Sequence, residues 1–467
     1  MDRSSSLGGA PALWLLAPVW LSLKLWQAGM SPIFAGIAAL LIAAGFLLIL
    51  QPVWEAPERL IGSLVAFLAA ISCAWCLSGV SFQPVAAGRF DGTVTVCRQF
   101  RSSSLVRDGA GRLWGVSGPI ELRPDGGTYH VIGDFGPLTD EPSDRQERLF
   151  WLSLGAVGRI KASSAAYLGE EPGLIAAARR FLQKQIGALP PLTGGVLGAV
   201  LLGDREGSTS ERFRSWGLLH MLAVSGWHVG IVAALASLIL GRGLRGAIGT
   251  SAVLWLYVAL SGWSVSAVRA AVMAQGALIG FLSGRPGASL NSAALSLLAL
   301  LLWQPGSFAS ISWQLSGLAV LMVTGVAGWK FPPFASWIVL PTIVWFVTSP
   351  IASPLSGGLF WSSLPINLML PLFLPVFGLT VLLSLASLLT GWEFLAQASE
   401  QVLSLWGAAS DGWVHLIPQA LPSTGIPLAL CWALAAAVLC RPMGLTRFRS
   451  LTFAVGSFAL GSLLSAV

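Results

Sequence analysis

Charge is what this sequence has least of. Only 10% of its 467 residues are Asp, Glu, Lys or Arg, while 55% are hydrophobic. A soluble domain carries about 25% charged residues, so a water-soluble enzyme is excluded and lipid is the expected solvent for most of the chain. Cysteine is scarce: Cys73, Cys76, Cys431 and Cys440 lie in apolar runs and Cys97 stands alone in a polar stretch, so no disulfide framework can be read. The Cys73-x-x-Cys76 spacing falls inside an apolar run, away from any βαβ pattern, and reads as packing. No H-x-H-x-D-H or H-E-x-x-H pattern and no G-x-x-x-x-G-K-[ST] loop occurs. Neither metal-dependent hydrolysis nor nucleotide-driven pumping is expected, and no cofactor is called for.

The charge that is present is unevenly placed. Residues 81–190 hold thirteen basic and eleven acidic side chains, a balance of +2, out of a net charge of +7 for the whole chain. One water-facing block is therefore set into an apolar protein. Before it come apolar runs near 12–27, 32–50 and 60–80, the first retaining Lys24 and lacking a small-residue cleavage site, so it is expected to stay on the chain. After it come runs near 191–203, 217–240, 247–282, 287–303, 308–328, 335–352, 360–391, 402–417, 424–440 and 450–466. Together they predict about 10 to 12 membrane spans, some broken or re-entrant where Gly and Pro cluster. Short loops carrying Arg242, Arg245, Arg285, Arg441, Arg447 and Arg449 are expected on the cytoplasmic side, which sends the polar block outward.

Inside the block, 93-TVTVCRQF-100, 112-RLWGVSG-118 and 128-TYHVIGD-134 are separated by Asp91-Gly92, Asp108-Gly109 and Asp125-Gly126-Gly127. This is strand and turn punctuation, and a small barrel or sandwich over 81–165 fits it, an OB-like barrel being one option. Residues 166–190 then read as an amphipathic helix lying at the interface or packed on the barrel, with Arg180 and Lys184 opposite Ile175, Leu182, Ile186 and Leu189. The remainder, 191–467, reads as a multi-helix transmembrane domain.

Polar side chains recur where the chain should be apolar. In 202-LGDREGSTSERFRSWGLLHMLAVSGWHVGIVAAL-235, Ser208 and Glu211 have the spacing of a capping box that starts a helix near 211. On a continuous helix Gly217, His220 and His228 share one sector, with Ser225 at its edge. Such a seam either bonds to other helices or lines a watery path, because unsatisfied polar groups in lipid cost several kcal/mol. Asp204 and Arg205, after the small-residue run 193-TGGVLGAVLLG-203, are either an interfacial ion pair or part of an entrance. Arg269 in 264-SVSAVRAAVMAQGAL-278 is an intramembrane cation that needs partners or snorkels. Gln314 and Ser316 sit in 313-WQLSGLAV-320, and Asn367 lies between Pro365 and Pro371, where a broken helix or a kinked one is expected. His130 and His415 stand apart from these groups.

In their order along the chain, 201-LLGDREG-207, 217-GLLHMLAVSGWHVG-230, 264-SVSAVRAAVMA-274, 313-WQLSGLAV-320 and 363-SLPINLMLP-371 resemble the motifs of the ComEC-type competence family of DNA-uptake membrane proteins. The resemblance implies a multi-pass cytoplasmic-membrane protein with an OB-like domain on the extracytoplasmic side and a helical competence domain that passes single-stranded DNA during natural transformation. It implies a channel component, not an enzyme. Asp204, Arg205, Gly217, His220, Ser225, Gly226, His228, Arg269, Gln314, Ser316 and Asn367 are then expected to line the polar path. Arg89, Arg98, Arg101, Arg107, Arg112 and Trp114 are expected to offer an outer surface that receives DNA, since single strands bind where positive charge meets aromatic rings. Partners implied are single-stranded DNA, the bilayer, a separate nuclease, a DNA receptor and a cytoplasmic translocase.

The chain departs from the family in reaching Val467 without the metallo-β-lactamase-like domain of many members, so nuclease activity is not expected. It also reads 144-DRQERLFWLSLGAVGRI-160 where members carry an Asn-Pro-Gly-rich segment. A small-solute transporter is the main alternative, although no repeat of two halves is evident. An intramembrane serine hydrolase built on Ser225 and His228 is a further one; Ala223 stands where such enzymes usually have glycine.

Overall fold

The computed structural model describes residues 11–50, 56–81, 85–100, 103–118, 122, 127–138, 145–170, 173–204, 207–216, 218–222, 224–241, 243–282, 289–327, 329–356, 363–416 and 434–439. It is mostly helical with one small β domain. Three helices come first, α1 (Pro11–Gln27), α2 (Pro32–Leu50) and α3 (Ala56–Ser81). The β domain follows, with β1 (Gly88–Phe100), β2 (Ser103–Asp108), β3 (Leu113–Ser117), β4 (Thr128–Gly136), helix α4 (Arg145–Ser153) and β5 (Ala156–Gly169). Then come α5 (Leu174–Ile186), α6 (Pro191–Leu202), α7 (Ser208–Ser215), the single turn α8 (Leu219–Leu222), α9 (Gly226–Leu240), α10 (Leu244–Leu260), α11 (Val265–Leu282) and α12 (Ser289–Trp303). A 3-10 turn, Pro305–Ala309, leads into α13 (Ile311–Ala327), α14 (Pro333–Ser356), α15 (Ser363–Thr390) and α16 (Glu393–Leu416).

The five strands close into a barrel in the order β1-β2-β3-β5-β4, with every pairing antiparallel except β3 with β5. Alternation explains the closure, since Val94, Val96, Val106, Trp114, Val116, Tyr129, Val131 and Ile160 point inward and are buried together. Glycine is required at Gly133, where a Cβ would come within 2.3 Å of Lys161 O across the pair with β5. The short stretches read from the sequence match β1, β3 and β4, but Asp91-Gly92, expected as a turn, lies inside β1 and pairs with Ile132 and Val131 of β4. Strand β5 runs to Gly169, beyond 165, and α4 occupies part of the stretch taken as β.

The barrel is tied to the helices through α4. Gln304 Nε2 donates to Ser153 O at 2.9 Å, and a Cβ on Gly306 would lie 2.1 Å from Leu152 O, so the 3-10 turn and α4 meet backbone to backbone. Arg148 of α4 lies over the Trp26 ring of α1 at 5.2 Å. Three apolar cores lie among the described helices. One runs through α1–α3 and α9–α14; a second joins α6, α7, α8, α15 and α16; a smaller third joins α5 to α6. Among the described residues, Pro333–Ala352 and Ser363–Thr390 are long and apolar enough to cross a membrane, and eight further helical stretches of 10–17 residues are apolar but shorter.

Short connections make successive helices from α9 to α13 antiparallel neighbours. The N-terminal ends of α9, α11 and α13 therefore share the barrel end of the bundle with the C-terminal ends of α1 and α3. Three expectations are corrected here. The run 217–240 is not one helix: α8 stops at Leu222 and α9 starts at Gly226, so His220 and His228 do not share a continuous helical face. The helix expected near 211 begins at Ser208, and Gly207, with φ 100°, is its cap, without a side-chain cap bond. Residues 363–375 are not a broken helix. Pro365 falls in the first turn of α15, where its N–H is not needed, and the helix continues through Pro371 and Pro375. Trp337 Nε1 donates to Leu368 O at 2.9 Å in the proline-weakened turn, as neighbours do for such helices in membranes.

The barrel supplies a stability test. Asp108 accepts from Ala110 N, Arg112 N, Arg112 Nε and Trp114 Nε1 at 2.8–2.9 Å. Burial works against the charged form, but the bonds from Trp114 and Arg112 outweigh it and hold the carboxyl below its ordinary value. A depressed carboxylate stabilises the fold above its unfolded value and loses that contribution as pH falls through its folded one. Asp108→Ala should destabilise the barrel by about 1–3 kcal/mol, read as faster hydrogen exchange across β2 and β3 in the full chain. The difference from the unsubstituted chain should shrink in acid; an equal difference at all pH values would contradict the assignment.

Candidate functional site

The break between α8 and α9 is where the sequence-predicted residues meet. Ser225 is extended, with φ −112° and ψ 168°, and caps α9. Its backbone N–H donates to His228 Nδ1 at 3.1 Å, and its Oγ lies 3.0 Å from the same nitrogen. His228 thus stands where a capping box usually has Glu or Gln. Since Nδ1 accepts, the neutral ring carries its proton on Nε2. The ring is buried edge-on to Trp227 (5.2 Å) and Phe377 (6.1 Å). The imidazole lone pair that a serine nucleophile would need is already occupied by the cap. The Ser266 Oγ bond to Val224 O, at 2.5 Å, pins the break to the start of α11.

Arg269 lies in the second turn of α11 and is only 5% exposed. Its Nη2 donates to Ser316 Oγ of α13 at 2.6 Å and Nη1 approaches Met273 Sδ at 3.4 Å, while Nε has no hydrogen-bond partner. A Cβ on Gly226 would meet Arg269 Nη2 at 4.0 Å and Ala270 Cβ at 3.8 Å. The guanidinium therefore sits beside the first turn of α9. Two positive features, a buried cation and the N-terminal end of a helix dipole, are side by side, and Arg269 pairs with no carboxylate among the described residues.

Ser225, Gly226, His228, Arg269 and Ser316 are thus brought together from α9, α11 and α13. Other expected residues are elsewhere. Gln314 is on the far side of α13, donating to Phe308 O at 2.9 Å and accepting from Lys24 Nζ at 3.4 Å. Asn367 donates to Ser363 O of its own helix at 2.7 Å. Asp204 is exposed just beyond Gly203, the left-handed end of α6. Arg205, Gly217 and Arg101 lie outside the described residues, as does the side chain of His220.

The expected outer surface is corrected at Trp114, which is 2% exposed, packs against Phe90 and Phe135 inside the barrel and cannot stack on a base. Arg98 is half-buried, and burial lowers its basicity. Arg112 is engaged with Asp108 at 2.9 Å. Arg89 and Arg107 are exposed, in register with Asp134 and Thr95 respectively.

Two acidic residues of α16 went unremarked in the sequence. Glu400 accepts from Leu192 N (3.1 Å), Thr193 N (2.7 Å) and Thr193 Oγ1 (2.8 Å), closing the N-terminal end of α6. Asp411 accepts from Arg212 Nη2 (3.0 Å) and Trp216 Nε1 (2.6 Å) of the α7 segment. They are about three turns apart on one helix and so share a face, a spacing that was available as a signal. Together they hold α6 and α7, the segment that leads into the Ser225 cap.

This is a mostly helical protein with apolar helices, a small inserted barrel and a buried, positively charged polar cluster at the barrel end of its bundle. A profile of the Competence protein family matches residues 200–447, more than half of the chain, and the chain belongs to that family. The matched segment contains the whole cluster, which agrees with the ComEC-type resemblance of its motifs. ComE operon protein 3 of Bacillus subtilis (strain 168) is 35% identical over 135 residues, 27% of this chain and 17% of that protein. The match thus spans a small part of that relative's length. No solved structure matches the chain.

Glu400→Ala should leave the first N–H groups of α6 without acceptors. We expect a lower melting temperature in detergent and faster hydrogen exchange at Leu192 and Thr193, with Glu400→Gln intermediate. Unchanged protection at these amides in the alanine variant would contradict the capping role.

Proposed function

We propose that this chain is a membrane channel component for DNA uptake, passing a single strand across the cytoplasmic membrane during natural transformation. The observation that carries the reading is the Arg269 site: a buried cation beside a helix N-terminal end, with no acidic partner among the described residues, within the segment matched by the Competence protein family. An uncompensated buried positive site is costly unless an anion visits it, and a phosphodiester backbone supplies one. A conducting path must also release its cargo. Sparse cations beside Ser and His suit that better than a dense arginine array.

On this reading the apolar helices cross the bilayer and the closed five-stranded barrel, taken as OB-like, lies outside. Arg245, at the start of α10, is at the bundle end remote from the barrel, which supports a cytoplasmic placement of that end. The other loop arginines used for topology lie outside the described residues. The path is a conduit and not an enzyme, with a nuclease, a DNA receptor and a translocase as separate partners. Ser225, Gly226, His228 and Ser316 line it beside Arg269.

Arg269→Gln should lower incorporation of marked linear DNA about tenfold, the scale of one charge-assisted bond, while surface binding of DNA and the abundance of the protein stay unchanged. Uptake equal to that of the unsubstituted chain would remove Arg269 from the path. Solute accumulation in vesicles without any effect on DNA would instead favour a transporter. Fluorophosphonate labelling abolished in Ser225→Ala would favour a hydrolase.

A further inference from the structure

A second cation stands at the barrel end of the bundle, on an element outside the family-matched segment. Lys24 lies in the last turns of α1, and among the described residues its ammonium donates only to two neutral amide oxygens, Gln27 Oε1 at 3.1 Å and Gln314 Oε1 at 3.4 Å. It pairs with no carboxylate there. An ammonium carries three donors, so one remains for a further acceptor. The Gln314 amide is held in place, because Nε2 donates to the buried carbonyl of Phe308 at 2.9 Å. Nearby on α1, Trp26 packs edge-on to Phe308 at 6.1 Å and lies under the guanidinium of Arg148 from the barrel's helix α4. Lys24 is thus stationed where barrel and bundle join.

Gln314 and Ser316 are about 200° apart around α13, so Lys24 and Arg269 flank the first turns of that helix from opposite sides. The N-terminal end of α13, itself the positive end of a dipole, lies between them. Lysine suits a phosphate contact as a compact point charge with rotatable donors, where the guanidinium of Arg269 offers a planar fork.

We propose that Lys24, presented by Gln314, is a phosphate-binding cation at the barrel-side entrance of the polar path, met by an incoming strand before it reaches Arg269. The assignment rests on the DNA-conduit reading above and extends it to a residue of the N-terminal helices. Phosphate at a membrane surface also comes from lipid headgroups, and the two sources are separable.

The full chain in nanodiscs of purely zwitterionic lipid, and in discs containing phosphatidylglycerol, is titrated with a fluorescent single-stranded oligonucleotide over a range of salt. Lys24→Gln should weaken binding about fivefold and flatten the log–log salt dependence by about 0.7 in both kinds of disc. Lys24→Arg should restore both. Gln314→Glu, which sets a carboxylate beside the ammonium, should weaken binding as Lys24→Gln does and keeps the test available if the latter fails to insert. Normal oligonucleotide binding by Lys24→Gln, with weakened binding by Arg269→Gln, overturns the assignment and leaves the conduit reading intact. No binding by the unsubstituted chain overturns the conduit reading. A Lys24→Gln defect confined to retention of phosphatidylglycerol makes the site a lipid site and overturns its place on the DNA path.

Discussion

A helix that starts inside an apolar bundle must satisfy its first N–H groups without water, and in this chain the Ser225–His228 pair meets that demand. The reciprocal cap ends the excursion of α7 and α8 and starts α9 beside Arg269. Without a cap the break would expose backbone donors to an apolar interior. With it, a serine, a histidine and a helix N-terminal end are fixed together at one depth. The carboxylates of Glu400 and Asp411 do the same for the segment leading into the break. Backbone satisfaction therefore comes first, and the polar cluster is assembled as its result.

Electrostatics then set the character of the cluster. Carboxylates are found against the α6–α7 segment and on the barrel, while Arg269 and Lys24 face neutral oxygens and sulfur. Positive charge is concentrated at the barrel ends of α9, α11 and α13, where the helix dipoles add to it. In a low-dielectric surrounding that field is weakly screened and strongly attracts negative charge.

Much of the architecture was legible from hydropathy and turn residues. Within the described residues the apolar runs correspond to helices, and Asp108-Gly109 marks the turn between β2 and β3, whereas Asp91-Gly92 falls inside β1. Asp125-Gly126, the run 450–466 and most of 424–440 lie outside the described residues. What failed was continuity. Periodicity cannot show that 217–240 is interrupted, because Ser225 and His228 look alike as seam residues and as a cap. Pro365 and Pro371 suggested a broken helix, yet one falls in a first turn and a tryptophan from α14 supplies a donor beside the other. Trp114 was read as a surface ring because aromatics near arginines have the same composition inside and outside a barrel; only the register of β3 decides. Arg269 and Ser316 were singled out separately and meet in space, whereas Lys24 and Gln314 are separated by 290 positions and no local pattern links them.

The contact of Gly306 with Leu152 O leaves no room for a side chain and little for slippage, and Pro305 on the same turn is pressed against Gly79 of α3. The β domain therefore grips the helices next to α13 through a close backbone contact. Phe308 follows on the same turn, and its carbonyl holds the amide of Gln314. The barrel is in this sense braced against the first turns of α13.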